Sequence, residues 1–155
     1  MLAWRIGKAD DITDLSGAGA AQFGGRWNRP EQPAIYLGLS PSGCALDPVI
    51  IAGHVPHLAF KLVHLELPAD PDLYHEPAVD QLPLGWNAFP ADRPSREFGG
   101  RWLERNHQLG LILPSAALED VRCLLINPRH PACSRIRVLQ ITDFLYGKPG
   151  VPRAA

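Results

Sequence analysis

The chain has 155 residues, 46% of them hydrophobic and 20% charged, the balance of an ordinary globular protein long enough to bury one continuous core. Fifteen basic residues against sixteen acidic ones leave a net charge of -1. That excludes a general field for DNA, RNA or an anionic membrane, so any anion must be held by a local site.

Sixteen prolines and fourteen glycines cut the chain into short elements separated by stiff turns. Ala3 to Ile6 predicts an opening strand, and Gly17 to Asn28 a loop rich in glycine and alanine. Ala34 to Leu39 has the β-branched and aromatic content of a buried strand ending at Ser40-Pro41, which should carry Tyr36 inward. A short helix is expected from about Cys44 to Gly53, with Asp47-Pro48 complicating its start. Ala59 to Leu67 alternates apolar and polar residues as a half-exposed strand does. Pro68 to Pro94 is a long ordered loop or lid anchored by Trp86 and Phe89. A helix follows over Ser95 to His107, with Ser95 as N-cap and Arg101, Glu104 and Arg105 on its wet face. Leu109 to Leu113, Arg122 to Asn127 and Ile136 to Ile141 are the remaining strands. About six short strands and two helices predict a single α/β (α+β) domain over residues 1–155, with a mixed sheet flanked by short helices. No Rossmann or P-loop glycine pattern occurs.

The three cysteines, Cys44, Cys123 and Cys133, lack the close pairing of zinc or redox motifs, and His54, His57 and His64 match no metal spacing. No metal is expected. With no leader pattern and no apolar run long enough for a bilayer, the expected location is the cytoplasm.

The pentapeptide FGGRW occurs twice, at Phe23 to Trp27 and at Phe98 to Trp102. The flanking residues differ, and the first copy precedes a strand while the second enters a helix, so an internal duplication is not implied. In the first copy the glycines permit close approach of a ligand, Arg26 offers a fork for phosphate, Trp27 a stacking face, and Asn28 both donor and acceptor. The same residues also suit a glycine turn with a surface arginine and a core tryptophan. Tyr36 fits either a site or the core, Ser115 either a site or a turn cap, and Asp47 either chemistry or an N-cap before Pro48.

In order along the chain, Trp4-Arg5, GGRWN (Gly24 to Asn28), IYL with Ser40-Pro41, Gly99 with Trp102, Pro114-Ser115-Ala116, INPRHP (Ile126 to Pro131) and a last strand leading to Phe144 resemble the RES-domain family, the toxins of bacterial RES-Xre toxin-antitoxin pairs. The resemblance spans nearly the whole chain. It implies an ADP-ribosyltransferase-like fold and an activity that consumes NAD, by hydrolysis, phosphorolysis or transfer of ADP-ribose to a protein. Carried over by position, it implies Arg26, Tyr36, Asp47 and Ser115 as catalytic residues, with Asp47 standing where many members have a glutamate. Dinucleotide-binding roles fall on Arg5, Arg26, Trp27, Asn28, Tyr36, Ser40, Ser115 and Asn127. The shorter carboxylate of Asp47 draws the charge back by one methylene, and displacement by about 1 Å can cost on the order of a hundredfold in rate.

Cleavage of the nicotinamide-ribose bond develops oxocarbenium character on the sugar, which calls for negative charge near the ribose and cations at the pyrophosphate. The resemblance further implies a cognate Xre-type antitoxin; Trp86 and Phe89 of the Pro68 to Pro94 region are candidate contacts for it or, equally, a buried anchor pair, and the lack of a basic patch leaves no direct contact with nucleic acid expected. Two other readings are a catalytically impaired NAD-binding or antitoxin-binding protein and an RNA-cleaving toxin.

Overall fold

A computed structural model describes residues 1–44 and 60–144. Nine elements occur among them in chain order: β1 (Leu2–Gly7), α1 (Ala18–Phe23), β2 (Ile35–Gly38), β3 (Phe60–Glu66), β4 (Tyr74–His75), α2 (Arg93–Arg105), β5 (Gly110–Pro114), β6 (Arg122–Ile126) and β7 (Arg137–Phe144). The strands form one sheet in the order β4-β5-β6-β2-β1-β3-β7. β4 runs parallel to β5, and the other neighbouring pairs are antiparallel. The expected mixed α/β architecture is therefore present.

Alternation along the strands distributes the core over both faces of the sheet. On β6, Leu124 and Ile126 join a cluster with Ala3, Ile35, Leu37, Val63 and Leu65. Leu125 points the other way, into a cluster with Trp27, Trp102, Leu103, Leu111 and Leu113 that also takes in Tyr36, Trp86, Phe98 and Cys123. Burial on both faces explains why the central strands read as unbroken apolar runs. The register Tyr36↔Leu125 and Gly38↔Cys123 places the tyrosine and the cysteine on the second face.

α2 packs on that second face through Phe98, Trp102 and Leu103. It begins two residues earlier than the sequence suggests. Asp92 is the N-cap, its carboxylate accepting from the Arg93 amide at 2.7 Å, and Pro94 occupies the first turn. Ser95 is buried inside that turn, where its hydroxyl donates to the Asp92 carbonyl at 3.1 Å. Asp92-Arg93-Pro94 supplies both a capping acceptor and a preset φ, so it displaces Ser95 as the start.

The stretch expected to be a loop at Gly17 to Asn28 contains the six-residue α1. So short a helix is marginal by itself, but its last carbonyls have tertiary partners. The Asn28 side chain and the Gly24 amide donate to Ala20, and the Glu31 amide donates to Ala21. Residues 41–44 open a helical turn; the remainder of the helix expected to Gly53, with Asp47, His54 and His57, lies outside the described residues.

Pro68 to Pro94 is built largely of turns, including two short 3-10 segments, Pro71–Leu73 and Val79–Gln81, around β4. No helix among the described residues is long and apolar enough to cross a membrane.

Candidate functional site

A cleft of about 480 Å³ opens beside β1 and β2, within the usual size range of small-molecule sites. β1 contributes Arg5, the turn after α1 contributes Gly24, Gly25 and Arg26, β2 contributes Tyr36 and Gly38, and the end of β5 contributes Pro114 and Ser115. Phe89, 61% exposed, stands at its lip. Arg5, Arg26, Tyr36 and Ser115, scattered over 110 positions of sequence, thus share one cavity.

The first FGGRW copy forms the wall of this cleft. Its turn closes with Gly25 and Asn28 bridged, the Gly25 amide donating to the Asn28 carbonyl at 3.1 Å. Arg96 on α2 donates to the Gly25 carbonyl at 3.2 Å. A side chain at Gly25 would place its Cβ 2.7 Å from the Tyr36 hydroxyl and 2.9 Å from Asn28 Oδ1. Glycine is required there for close approach of the turn to the tyrosine.

Tyr36 is the hub of the wall. Its hydroxyl donates to Asn28 Oδ1 at 2.6 Å and accepts from the Trp27 amide at 3.0 Å. Burial pushes its ionisation well above the ordinary tyrosine value, partly opposed by the Trp27 amide bond and by the charges of Arg96 and Arg26. The phenol is therefore neutral at physiological pH, suited to holding geometry rather than shuttling protons.

Two guanidinium groups enter the cleft. Arg26 Nη1 donates to the carbonyls of Trp86 at 3.1 Å and Ala88 at 2.8 Å, tying the 86–89 loop against the glycine turn. Arg5 Nη1 donates to the Asp14 carbonyl at 2.6 Å. Burial draws the pKa of Arg5 down, and the neighbouring Asp14, Asp11 and Cys44 side chains oppose that shift. An arginine so placed remains a cation. At the opposite wall, the Ser115 hydroxyl accepts from the Ala117 and Leu118 amides at 3.3 and 3.2 Å, which anchors its oxygen at the cleft edge.

Four residues assigned to the site by sequence have other duties. Trp27 is only 1% exposed, stacked on Trp86 at a centroid distance of 6.1 Å and met by the edge of Phe98. Its ring packs in the core, and the residue also lines the cleft. Asn28 is fully buried, with its amide donating to Ala20, Arg29 and Gln32 carbonyls while its oxygen receives Tyr36. It organises the wall and does not line the cleft. The Ser40 hydroxyl accepts from the Gly43 amide at 3.1 Å, capping the helical turn at 41–44. Asn127 ties the end of β6 to α2, donating to the Leu103 carbonyl and Asn106 Oδ1, both at 2.9 Å. Asn127 is not among the residues that line the cleft.

Sequence reasoning missed Arg96, Asp14 and the 86–88 carbonyls, whose contribution depends on contacts up to 71 residues apart. Among the described residues no group of three or more His, Cys, Asp or Glu is arranged to hold a metal ion.

Comparison with known proteins follows the same outline. Residues 2–147 match the RES domain. The chain is 36% identical over 149 residues to a protein named Prs ADP-ribosylating toxin from Sphingobium sp. (strain YBL2), covering 92% of each chain. It is 32% identical over 147 residues to Toxin Res of Pseudomonas putida, covering 93% of this chain and 95% of the relative. In fold it resembles a chain from the crystal structure of the M. tuberculosis MbcT-MbcA toxin-antitoxin complex, with a TM-score of 0.72, 21% identity, and coverage of 93% of this chain and 84% of the other.

Proposed function

This chain belongs to the RES-domain family, and on that premise we propose that it is the toxin of a bacterial toxin-antitoxin pair that cleaves NAD at the nicotinamide-ribose bond. The observation that carries the reading is the convergence of Arg5, Arg26, Tyr36 and Ser115 on a single cleft of about 480 Å³. A relative named for ADP-ribosylation favours transfer of the ADP-ribosyl group as the outcome.

In this reading Arg26 and Arg5 supply the positive charge that holds the pyrophosphate by charge-assisted hydrogen bonds. Arg26 also holds the 86–89 loop, so binding charge and loop position are coupled through one side chain. The neutral Tyr36 ring borders the nicotinamide end. Ser115, whose oxygen already accepts two amides, retains its own proton to donate to a ribose or phosphate oxygen. Nicotinamide departs with the electron pair of the broken C–N bond. The ribose carbon is then attacked by an oxygen of water, phosphate or a protein side chain, which gives up its proton as the new C–O bond forms. Asp47 is our assignment for the carboxylate that stabilises the developing positive charge.

An antitoxin partner covering the mouth of the cleft belongs to the same proposal, and Phe89 and Trp86 are its suggested contacts. The fold likeness to a chain solved in a toxin-antitoxin complex is compatible with such an assembly.

Incubation of the purified protein with NAD should release nicotinamide, and mass spectrometry of nucleotides and proteins should identify free ADP-ribose, its phosphate or a modified protein. Absence of release with water alone, with phosphate and with cell extract as acceptor source would overturn the reading in favour of a dinucleotide-binding or partner-binding protein. Loss of cellular RNA with intact NAD after induction would instead indicate an RNA-cleaving toxin.

A further inference from the structure

Two thiols flank one glycine at the floor of the cleft. Cys123 on β6 is the Cα partner of Gly38 on β2, on the face that carries Tyr36. Gly38 lies so close to the helical turn at 41–44 that a Cβ built on it would stand 2.8 Å from the Cys44 Cβ. Directly opposed residues of an antiparallel pair hold their Cβ positions about 5 Å apart, so Cys44 packs onto Gly38 and Cys123 stands beside it. Both line the cleft, both are half-buried, and neither is in a disulfide.

The Cys44 thiol donates to the Trp4 carbonyl at 3.5 Å and has a cation nearby. The Arg5 guanidinium is near enough to Cys44 for an electrostatic interaction between them. A neighbouring cation favours the thiolate, which is the reactive form of cysteine. The third cysteine provides contrast within the same chain. Cys133 is only 9% exposed, lies in the cluster on the opposite face of the sheet, and has its thiol pushed up by burial.

We propose that Cys44, with Cys123 beside it, is a thiol-modification site inside the cleft, where a low-molecular-weight disulfide forms a mixed disulfide that blocks the cavity. The Cys44 thiolate attacks one sulfur of the small disulfide. A new S–S bond forms to Cys44, the original S–S bond breaks, and the other half departs as a thiolate that takes a proton from water. No external oxidant is consumed, and a small thiol reverses the exchange. The adduct occupies the cavity that Cys44 lines together with Tyr36 and Arg5, and so competes with the dinucleotide.

This inference rests on the reading of the cleft as the NAD site, and the experiment separates the two. The full-length protein is incubated with glutathione disulfide, adducts are mapped by peptide mass spectrometry, and nicotinamide release is followed in parallel. Cys44 should be modified at least about tenfold faster than Cys133, with release falling as the Cys44 adduct accumulates and returning on addition of dithiothreitol. In Cys44→Ser, release should no longer respond to the disulfide, whatever its starting rate. Equal labelling of Cys44 and Cys133, or full labelling of Cys44 with release unchanged, overturns the inference. If the untreated protein releases no nicotinamide, the NAD reading fails, while the labelling ratio still decides the thiol site: about tenfold supports it and a ratio near one overturns it.

Discussion

Gly99→Ala and Gly100→Ala differ by one position in the second FGGRW copy, yet they should have opposite consequences. Gly99 rests on the backbone of Trp27 in the first copy: a Cβ added there would lie 2.0 Å from the Trp27 carbonyl oxygen and 2.8 Å from its carbonyl carbon. Trp27 cannot retreat easily, since its ring is held by Trp86 and Phe98 and its amide donates to Tyr36. The helix must therefore lift off the sheet. Overpacking a core costs about 1–3 kcal/mol, and a clash with backbone belongs at the upper end. Replacing glycine in a helix interior returns about 1 kcal/mol, which leaves a net loss of about 2 kcal/mol and a Tm lowered by about 4–8 °C for a chain of this size. At Gly100 the nearest atoms are Arg29 Nε at 2.9 Å, Arg29 Cζ at 3.0 Å and Gln32 Oε1 at 3.1 Å. These are ends of flexible side chains, so the clash is relieved by rotation and stability should change little. Thermal unfolding followed by circular dichroism compares the two variants directly. Tm values within about 1 °C of each other would refute the claim that the second copy serves as the seat for the first.

Arg26→Ala should lower nicotinamide release by at least about a hundredfold, since it removes both a binding cation and the latch on the 86–89 loop. Arg101→Ala, at the matching position of the second copy but solvent-exposed, should leave it unchanged; equal damage in a steady-state assay would reverse the assignment. Asn127→Ala should destabilise the fold by about 2 kcal/mol, leaving the buried Leu103 carbonyl unpaired, without altering NAD affinity by calorimetry at a temperature where the variant is folded. Loss of affinity there would return Asn127 to the site. Tyr36 has a direct pH consequence: its folded pKa is raised above an unfolded value of 10.0. Its contribution to stability is fully present below pH 10 and is lost as the pH climbs through the raised value. Urea melts should show wild type losing stability above pH 10 more steeply than Tyr36→Phe, and parallel curves would count against the buried phenol.

The resemblance carried by GGRWN, IYL and PSA picked out Arg26, Tyr36 and Ser115, and the fold brings all three to one cleft. It did not distinguish residues that face a ligand from residues that hold those in place. Asn28 and Tyr36 are adjacent partners in space, and only the direction of each side chain separates the buried organiser from the cleft wall. Ser40, Asn127 and Trp27 carry groups that would serve a nucleotide equally well, and within the fold the Gly43 amide, the Leu103 carbonyl and the Trp86 ring already engage them.

Six of the seven strands were legible because alternation and β-branched content are local, whereas the two-residue β4, inside the stretch read as a loop, exists only by pairing with β5; the helix at Ser95 to His107 was legible from its amphipathic period. Its true start was also written locally, in Asp92-Arg93-Pro94, but competed with an equally plausible serine. α1 was not legible, because its terminal carbonyls are satisfied by Asn28 and Glu31, residues whose arrival depends on the following turn. The two FGGRW copies show the division most directly. Their differing flanks were enough to assign different roles, a turn in one and a helix in the other. That Gly99 of the second would lie on Trp27 of the first, fixing the wall that carries Arg26, depended on packing across 72 positions of chain. Identical local chemistry specifies what a segment can do, and the burial and contacts set by the rest of the fold decide which of those capacities it uses.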